Sequence, residues 1–225
     1  MTDSNAGACD GDSLSAGAWM SLYEDLLAGL VHSMNNTLTV LGMSLELATP
    51  DEPPDIPGLR RELGHVERLT GLAAILSSRS TREEALEPRA ALEVALAIHA
   101  LNSPTRAVEC VIRATGPVAP VRVARPVLTR TLLLMIDGAK RAKGTAAAPV
   151  PIEISGDEDR VIVRAPLSGH PSRDALAFAS SCGASLTVQD GYAVLELPSL
   201  QRLRSHNGVQ APLRETAMLM PASGS

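Results

Sequence analysis

The sequence predicts an α+β chain: an N-terminal helical hairpin that pairs with a second copy as a four-helix bundle, followed by a small α/β sandwich. Three observations carry that expectation. Leucines recur at three- and four-residue steps through much of residues 18–80, the signature of amphipathic helices. After about Thr81 short β-type runs alternate with helical ones, the pattern of a sheet covered by helices. Asp190-Gly191 separates two such runs, a strong two-residue hairpin signal.

The elements follow in order. Residues 1–17 are small and polar and are expected to be disordered. From Ala18 to Ala48, Leu22, Leu26, Leu30, Met34, Leu38, Leu41 and Leu45 form one apolar stripe. The Pro- and Gly-rich segment 49–58 ends this helix, because neither residue continues one. A second helix then carries Leu59, Leu63, Val66, Leu69, Ala73 and Leu76. A lone pair of helices has too little core, so a dimeric bundle through residues 18–80 is expected. Arg79–Glu84 reads as a solvated helix entry with a Thr81–Glu84 capping box, and Glu87-Pro88 opens a helix running to Asn102.

The sandwich spans 81–200. Its strands are expected at Val108–Arg113, Val121–Val123, Pro151–Ser155, Val161–Ala165, Ser185–Gln189 and Tyr192–Pro198, with helices at Pro126–Lys143 and Ser172–Cys182. The stretch 156–159 (GDED) is a polar turn, and 201–225 is a loose tail.

Composition narrows the function. The chain has 225 residues, net charge −5 and only 2% aromatics, which disfavours base-stacking and phosphate-backbone binders. No nucleic-acid partner is expected. Cys9, Cys110 and Cys182 show no CxxC spacing and cannot all pair, so neither a disulfide framework nor a zinc site is expected. No apolar run reaches about 18 residues, and the N-terminus has no basic n-region. A cytoplasmic protein without membrane contact is expected.

One constellation stands out, LVHSMNNTLTVL at 30–41. Each helical residue turns by about 100°, so His32 lies about 200° from both Leu30 and Met34 and points away from the stripe. Ala28 and Gly29 share its face below; Asn35, Asn36 and Thr39 share it above. A neutral, exposed imidazole is a nucleophile near neutral pH and can accept a phosphoryl group and pass it on.

Residues 26–48 (LLAGLVHSMNNTLTVLGMSLELA) resemble the H-box helix of sensor histidine kinases, with His32 matching the phospho-acceptor and Asn36 a position that orients water or the receiver. ERLTGLAAILSSRS (67–80) resembles the second helix of the dimerisation and phosphotransfer domain. LEPRAALEVALAI (86–98), RPVLTRTLLLMIDGAKRAKG (125–144) and CGASLTVQDGYAVLELP (182–198) resemble the opening helix, the N-box helix and the closing hairpin of the kinase ATP-binding sandwich.

The departures are specific. The N-box asparagines that hold Mg²⁺ and phosphates are matched by Leu134 and Gly138, with Asp137 one residue out of register; Mg²⁺ takes oxygen ligands. The adenine-binding Asp is matched by Ala165 and the next Gly by Leu167. Ser172–Ala177 replaces the phosphate-cradling glycines, and no lid insertion separates strand from helix. Ser33 stands where kinases carry a carboxylate base after the histidine.

The resemblance therefore implies a histidine phosphotransferase of a phosphorelay, built as a degenerate kinase. It would bind no cofactor itself, with Mg²⁺ on the partner receiver domain, and its surface for response-regulator receivers would include Ala28, Gly29, Ser33, Asn35, Asn36 and Thr39. Two alternatives stay open: an active kinase that labels His32 from ATP, and a non-enzymatic adaptor for receivers. The other histidines read as structural. His65 is placed at the bundle rim, His99 as a hydrogen-bonded core-edge residue, and His170 and His206 in loop and tail. Cys110 and Cys182 read as small core hydrophobes.

Overall fold

The computed structural model describes residues 17–49, 53–101, 109–144 and 148–203. Two antiparallel helices, α1 (Ala18–Glu46) and α2 (Ile56–Ser77), precede an α/β domain. That domain runs β1 (Glu84–Leu86), α3 (Pro88–Ala100), β2 (Cys110–Thr115), β3 (Val121–Val123), α4 (Arg125–Lys143), β4 (Val150–Gly156), β5 (Arg160–Pro166), α5 (Arg173–Ser181), β6 (Ser185–Gln189) and β7 (Tyr192–Pro198).

The main sheet has the order β2-β4-β5-β7-β6, with β2 and β4 parallel and the remaining pairs antiparallel. Its strands alternate as a half-covered sheet must. Val150, Ile152, Ile154, Val161, Val163, Ala165, Leu195 and Leu197 are buried. On the other face Arg164 reaches Glu153 at 3.9 Å and lies over the Tyr192 ring at 4.9 Å, and Arg160 reaches Glu196 at 3.6 Å. The hairpin between β6 and β7 turns on Asp190 and Gly191, both at positive φ (51° and 77°), the geometry that Asp-Gly pairs favour.

Helix α4 lies between the sheet and the helical hairpin, touching α1, α2, α3, α5, β4 and β5. All six residues Thr131–Ile136 are buried, as expected of a helix packed on several sides.

The base of the hairpin is clamped to the sandwich at both helix ends. Helix termini leave backbone groups without intrahelical partners. At the start of α1 the Trp19 N–H donates to Asp174 Oδ2 at 2.8 Å, a carboxylate in the first turn of α5. At the end of α2 the Arg130 guanidinium of α4 donates to the carbonyls of Leu76 (3.3 Å) and Ser78 (2.5 Å). Anion at an N-terminus and cation at a C-terminus are the favourable signs for the helix dipole. Trp19 packs edge-on to Phe178 at 5.7 Å and against Tyr23 at 5.8 Å, and Arg130 lies over the Trp19 and Phe178 rings. Three of the chain's four aromatic residues thus meet at this one joint.

Several expectations need correcting. The apolar residues of α1 do not form one stripe. Leu22, Leu26 and Leu30 are buried, whereas Leu38 (51% exposed) and Leu45 (57%) are not, and Thr37 takes the buried position instead. Steps of four residues drift by about 40° each on a helix turning 100° per residue. The leucines therefore walk off the buried face. Glu84 enters no helix: Glu84–Leu86 is a strand paired with β3 in a separate two-stranded sheet. The helix begins at Pro88, so there is no Thr81–Glu84 capping box.

Val121–Val123 consequently lies outside the main sheet, reaching it only through a bridge between Val121 and Ser199. Helix α2 absorbs Ile56–Gly58 and ends at Ser77; Pro57 falls in the first turn, where a missing N–H costs nothing. Residues 200–203 make a helical turn rather than a loose start to the tail, held by Leu200 N–H donating to Pro120 O. Residues 1–16, Asn102, Val108, His206 and the rest of the tail lie outside the described residues.

Candidate functional site

Helix α1 carries His32 about 20 Å along its axis from the clamped Trp19. The imidazole is exposed, as are Ala28, Asn35, Asn36 and Thr39, while Gly29 and Ser33 are half-buried. Helix α1 runs unbroken from Ala18 to Glu46, so regular helical spacing relates these residues. The Asn36 side chain reaches back one turn, Nδ2 lying 3.1 Å from His32 Nε2. The Thr39 hydroxyl instead donates to Asn35 O at 2.9 Å and the Thr37 hydroxyl to Ser33 O at 3.0 Å. Two of the hydroxyls on this segment are thus spent on their own helix.

The exposed apolar residues Leu27, Val31, Leu38 and Leu45 form a second stripe on α1. At about 100° per residue it lies roughly 110° round from the buried one and about 125° from His32. The ring is therefore free of both apolar faces. Leu63 of α2 is also exposed.

The positions matched to nucleotide-binding residues are filled by aliphatic packing. Leu134 and Ala165 are buried at 5% and 0% exposure. Gly138 is buried, and a Cβ there would stand 3.0 Å from Leu167 Cδ1. None of these four side chains offers an oxygen to Mg²⁺ or an acceptor to an adenine amine. Asp137, the nearby carboxylate, is bound to Arg141 at 2.6 Å and stands 3.9 Å from His99 Nε2. Among the described residues no group of three or more His, Cys, Asp or Glu side chains could hold a metal ion.

The other described histidines lie away from His32. His99 is buried, its Nδ1 3.1 Å from Lys140 Nζ, and His65 on α2 stands 2.7 Å from Arg68. His170 is exposed in the loop before α5. Cys110 and Cys182 are half-buried, and burial pushes both thiols above their ordinary range. The GDED segment is a turn, in which the Asp157 carboxylate accepts the Arg160 and Asp159 backbone N–H groups, lowering its pKa. What sequence reading missed is the clamp. Trp19, Arg130 and Asp174 are far apart in the chain, and no local spacing signals their meeting.

Comparison of the sequence with protein-family models and with curated proteins finds no match. Among solved structures the chain is similar to the Acinetobacter baumannii histidine kinase AdeS, with TM-score 0.41 and 14% identity, over 75% of this chain and 96% of that one. It is similar to the cytoplasmic segment of histidine kinase QseC, with TM-score 0.40 and 12% identity, over 60% of this chain and 93% of that one. It is also similar to histidine kinase ThkA in complex with the response regulator protein TrrA, with TM-score 0.44 and 12% identity, over 81% of this chain and 63% of that one. Likenesses this loose carry no argument about function, and the site rests on its own residues. No helix among the described residues is long and apolar enough to cross a membrane.

Proposed function

We propose that the chain is a histidine phosphotransferase that relays a phosphoryl group between response-regulator receiver domains through His32, without using ATP. The observation that supports this most is the exposed imidazole on α1, with only the small or amide residues Ala28, Gly29, Asn35 and Asn36 one turn to either side on its face. A receiver's phospho-aspartate is an activated acyl phosphate, so its transfer to a neutral imidazole asks less of the acceptor's surroundings than transfer from ATP. That suits a chain with Ser33, not a carboxylate, beside the histidine. The aliphatic packing at Leu134, Gly138, Ala165 and Leu167 supports the absence of a nucleotide step. Mg²⁺ belongs to the receiver in this reading.

The chain acts as a homodimer. Leu27, Val31, Leu38 and Leu45 give α1 an exposed apolar stripe, which a second hairpin covers in a four-helix bundle. The sandwich braces the hairpin through the clamp.

The test is incubation with a receiver already phosphorylated on its aspartate, followed by a search for acid-labile, alkali-stable label on His32. Label that vanishes in His32→Ala is the expected result. ATP-dependent labelling of His32 would make the chain a kinase. No label with any receiver, and receiver binding unchanged in His32→Ala, would make it an adaptor.

A further inference from the structure

Asn36 and His32 are joined by the one hydrogen bond that the His32 ring makes among the described residues, Asn36 Nδ2 to His32 Nε2 at 3.1 Å. The chemistry of the two atoms fixes its direction. An amide NH₂ donates and has no lone pair to accept with, so Nε2 accepts, and in the neutral ring the proton sits on Nδ1. Both residues are exposed and one helical turn apart, so the contact is built into the helix rather than imposed by packing. Ser33, next in the chain, has its carbonyl engaged by Thr37 and carries no carboxylate to take a proton from Nδ1.

We infer that Asn36 is a positioning residue that selects the Nδ1–H tautomer of His32 and so makes Nε2 the atom that accepts the phosphoryl group. The inference rests on the phosphotransfer reading for its purpose, though not for its geometry. In the step it serves, the Nε2 lone pair attacks phosphorus of the donor acyl phosphate. The N–P bond forms as the P–O bond to the donor carboxylate breaks, and the carboxylate leaves with the electron pair. The ring, still protonated at Nδ1, carries a positive charge until that proton passes to water. Attack displaces the Asn36 amide from Nε2. Its N–H groups are then one turn away from the new phosphoryl oxygens, to which they can donate.

The experiment is ¹⁵N NMR of the histidine-labelled full chain, free of partner and phosphate, at mildly alkaline pH. The wild type should show His32 with a pyridine-type Nε2 and a pyrrole-type Nδ1. Asn36→Ala should move the tautomer ratio by about two- to tenfold toward Nε2–H, the size that one net hydrogen bond supplies. Asn36→Asp should move it further, since a carboxylate only accepts and calls for a proton on Nε2. Asn36 is exposed, and alanine is the better helix former, so both variants fold.

A second reading uses phosphoramidate as a small phosphoryl donor. The wild type should be labelled at Nε2, and Asn36→Asp should lose Nε2 label several-fold relative to Nδ1. A wild type with Nε2–H, or a ratio unmoved by both substitutions, overturns the inference. An Nδ1–H wild type that takes no phosphoryl group from any receiver leaves the tautomer selection by Asn36 standing and overturns the phosphotransferase reading instead.

Discussion

Arg130→Ala removes the residue that ties the end of α2 to α4. Its guanidinium donates to two carbonyls, at 3.3 Å from Leu76 and 2.5 Å from Ser78. Hydrogen bonds to a charged group contribute about 1.5–3 kcal/mol each. The longer one counts for less, so the pair contributes about 3 kcal/mol. Stacking over Trp19 and Phe178 at 5.5 and 5.8 Å adds about 1 kcal/mol for a half-buried cation. Against this stand the partial burial that lowers the Arg130 pKa and the Nε atom left without a partner, a cost of about 2 kcal/mol.

The net loss expected for Arg130→Ala is therefore about 2 kcal/mol, or about 1 M in the urea midpoint for a slope near 2 kcal/mol per M. Trp19 is the chain's only tryptophan, so its emission reports this joint directly. It should shift to the red in Arg130→Ala before global unfolding begins. Arg130→Lys keeps the charge but neither the fork nor the planar stack, and should recover less than half of the loss. A midpoint within about 0.2 M of wild type, with unchanged emission, would refute the clamp as a source of stability.

Other outcomes follow from the same geometry. His32→Ala, at an exposed position, should change stability by no more than about 0.5 kcal/mol, read by thermal melting, while abolishing phosphoryl acceptance. Ala165→Asp places a carboxylate where the residue is wholly buried; it should cost about 3 kcal/mol or more, and binding of a fluorescent ATP analogue should not appear. Leu38→Asp with Leu45→Asp should convert a dimer to a folded monomer by light scattering, because both side chains are exposed in the single chain; a dimer unchanged would place the interface elsewhere. On a Cys9→Ser background, Cys110 and Cys182 should react slowly with a thiol-specific disulfide reagent at neutral pH and rapidly in urea. Burial raises both thiol pKa values and so lowers the thiolate fraction that reacts.

The sequence was most legible where the signal is local. The β6–β7 hairpin falls on its Asp-Gly pair, α5 carries Ser172 at its N-cap with the side chain accepting from Ala175 N–H, and α3 opens on Pro88. The His32 face was legible for the same reason, since a single helix turn relates His32 to Ala28, Asn35 and Asn36. Illegible features depend on distant partners. The strand Glu84–Leu86 is three residues long, too short for an alternation to show, and exists because β3 lies beside it. The exposure of Leu38 and Leu45 depends on which face of α1 the rest of the chain covers, which no stripe drawn on α1 alone reveals. The clamp joins residues 130 and 78, and 19 and 174, across pairs of elements.

The unbroken burial of Thr131–Ile136 in α4 has a consequence for what this helix could be made to hold. A metal and phosphate site needs polar side chains and water where Leu134 now packs, and buried polar groups without partners are costly. Filling that position with leucine instead removes apolar surface from water, a gain of about 1.5–3 kcal/mol. Stability and a polar site would thus compete for the same helix. Each aliphatic residue on α4 tightens its packing and raises the cost of introducing an asparagine. A single Leu134→Asn substitution should therefore weaken the fold without creating a ligand site, so such a site could not be built here one substitution at a time.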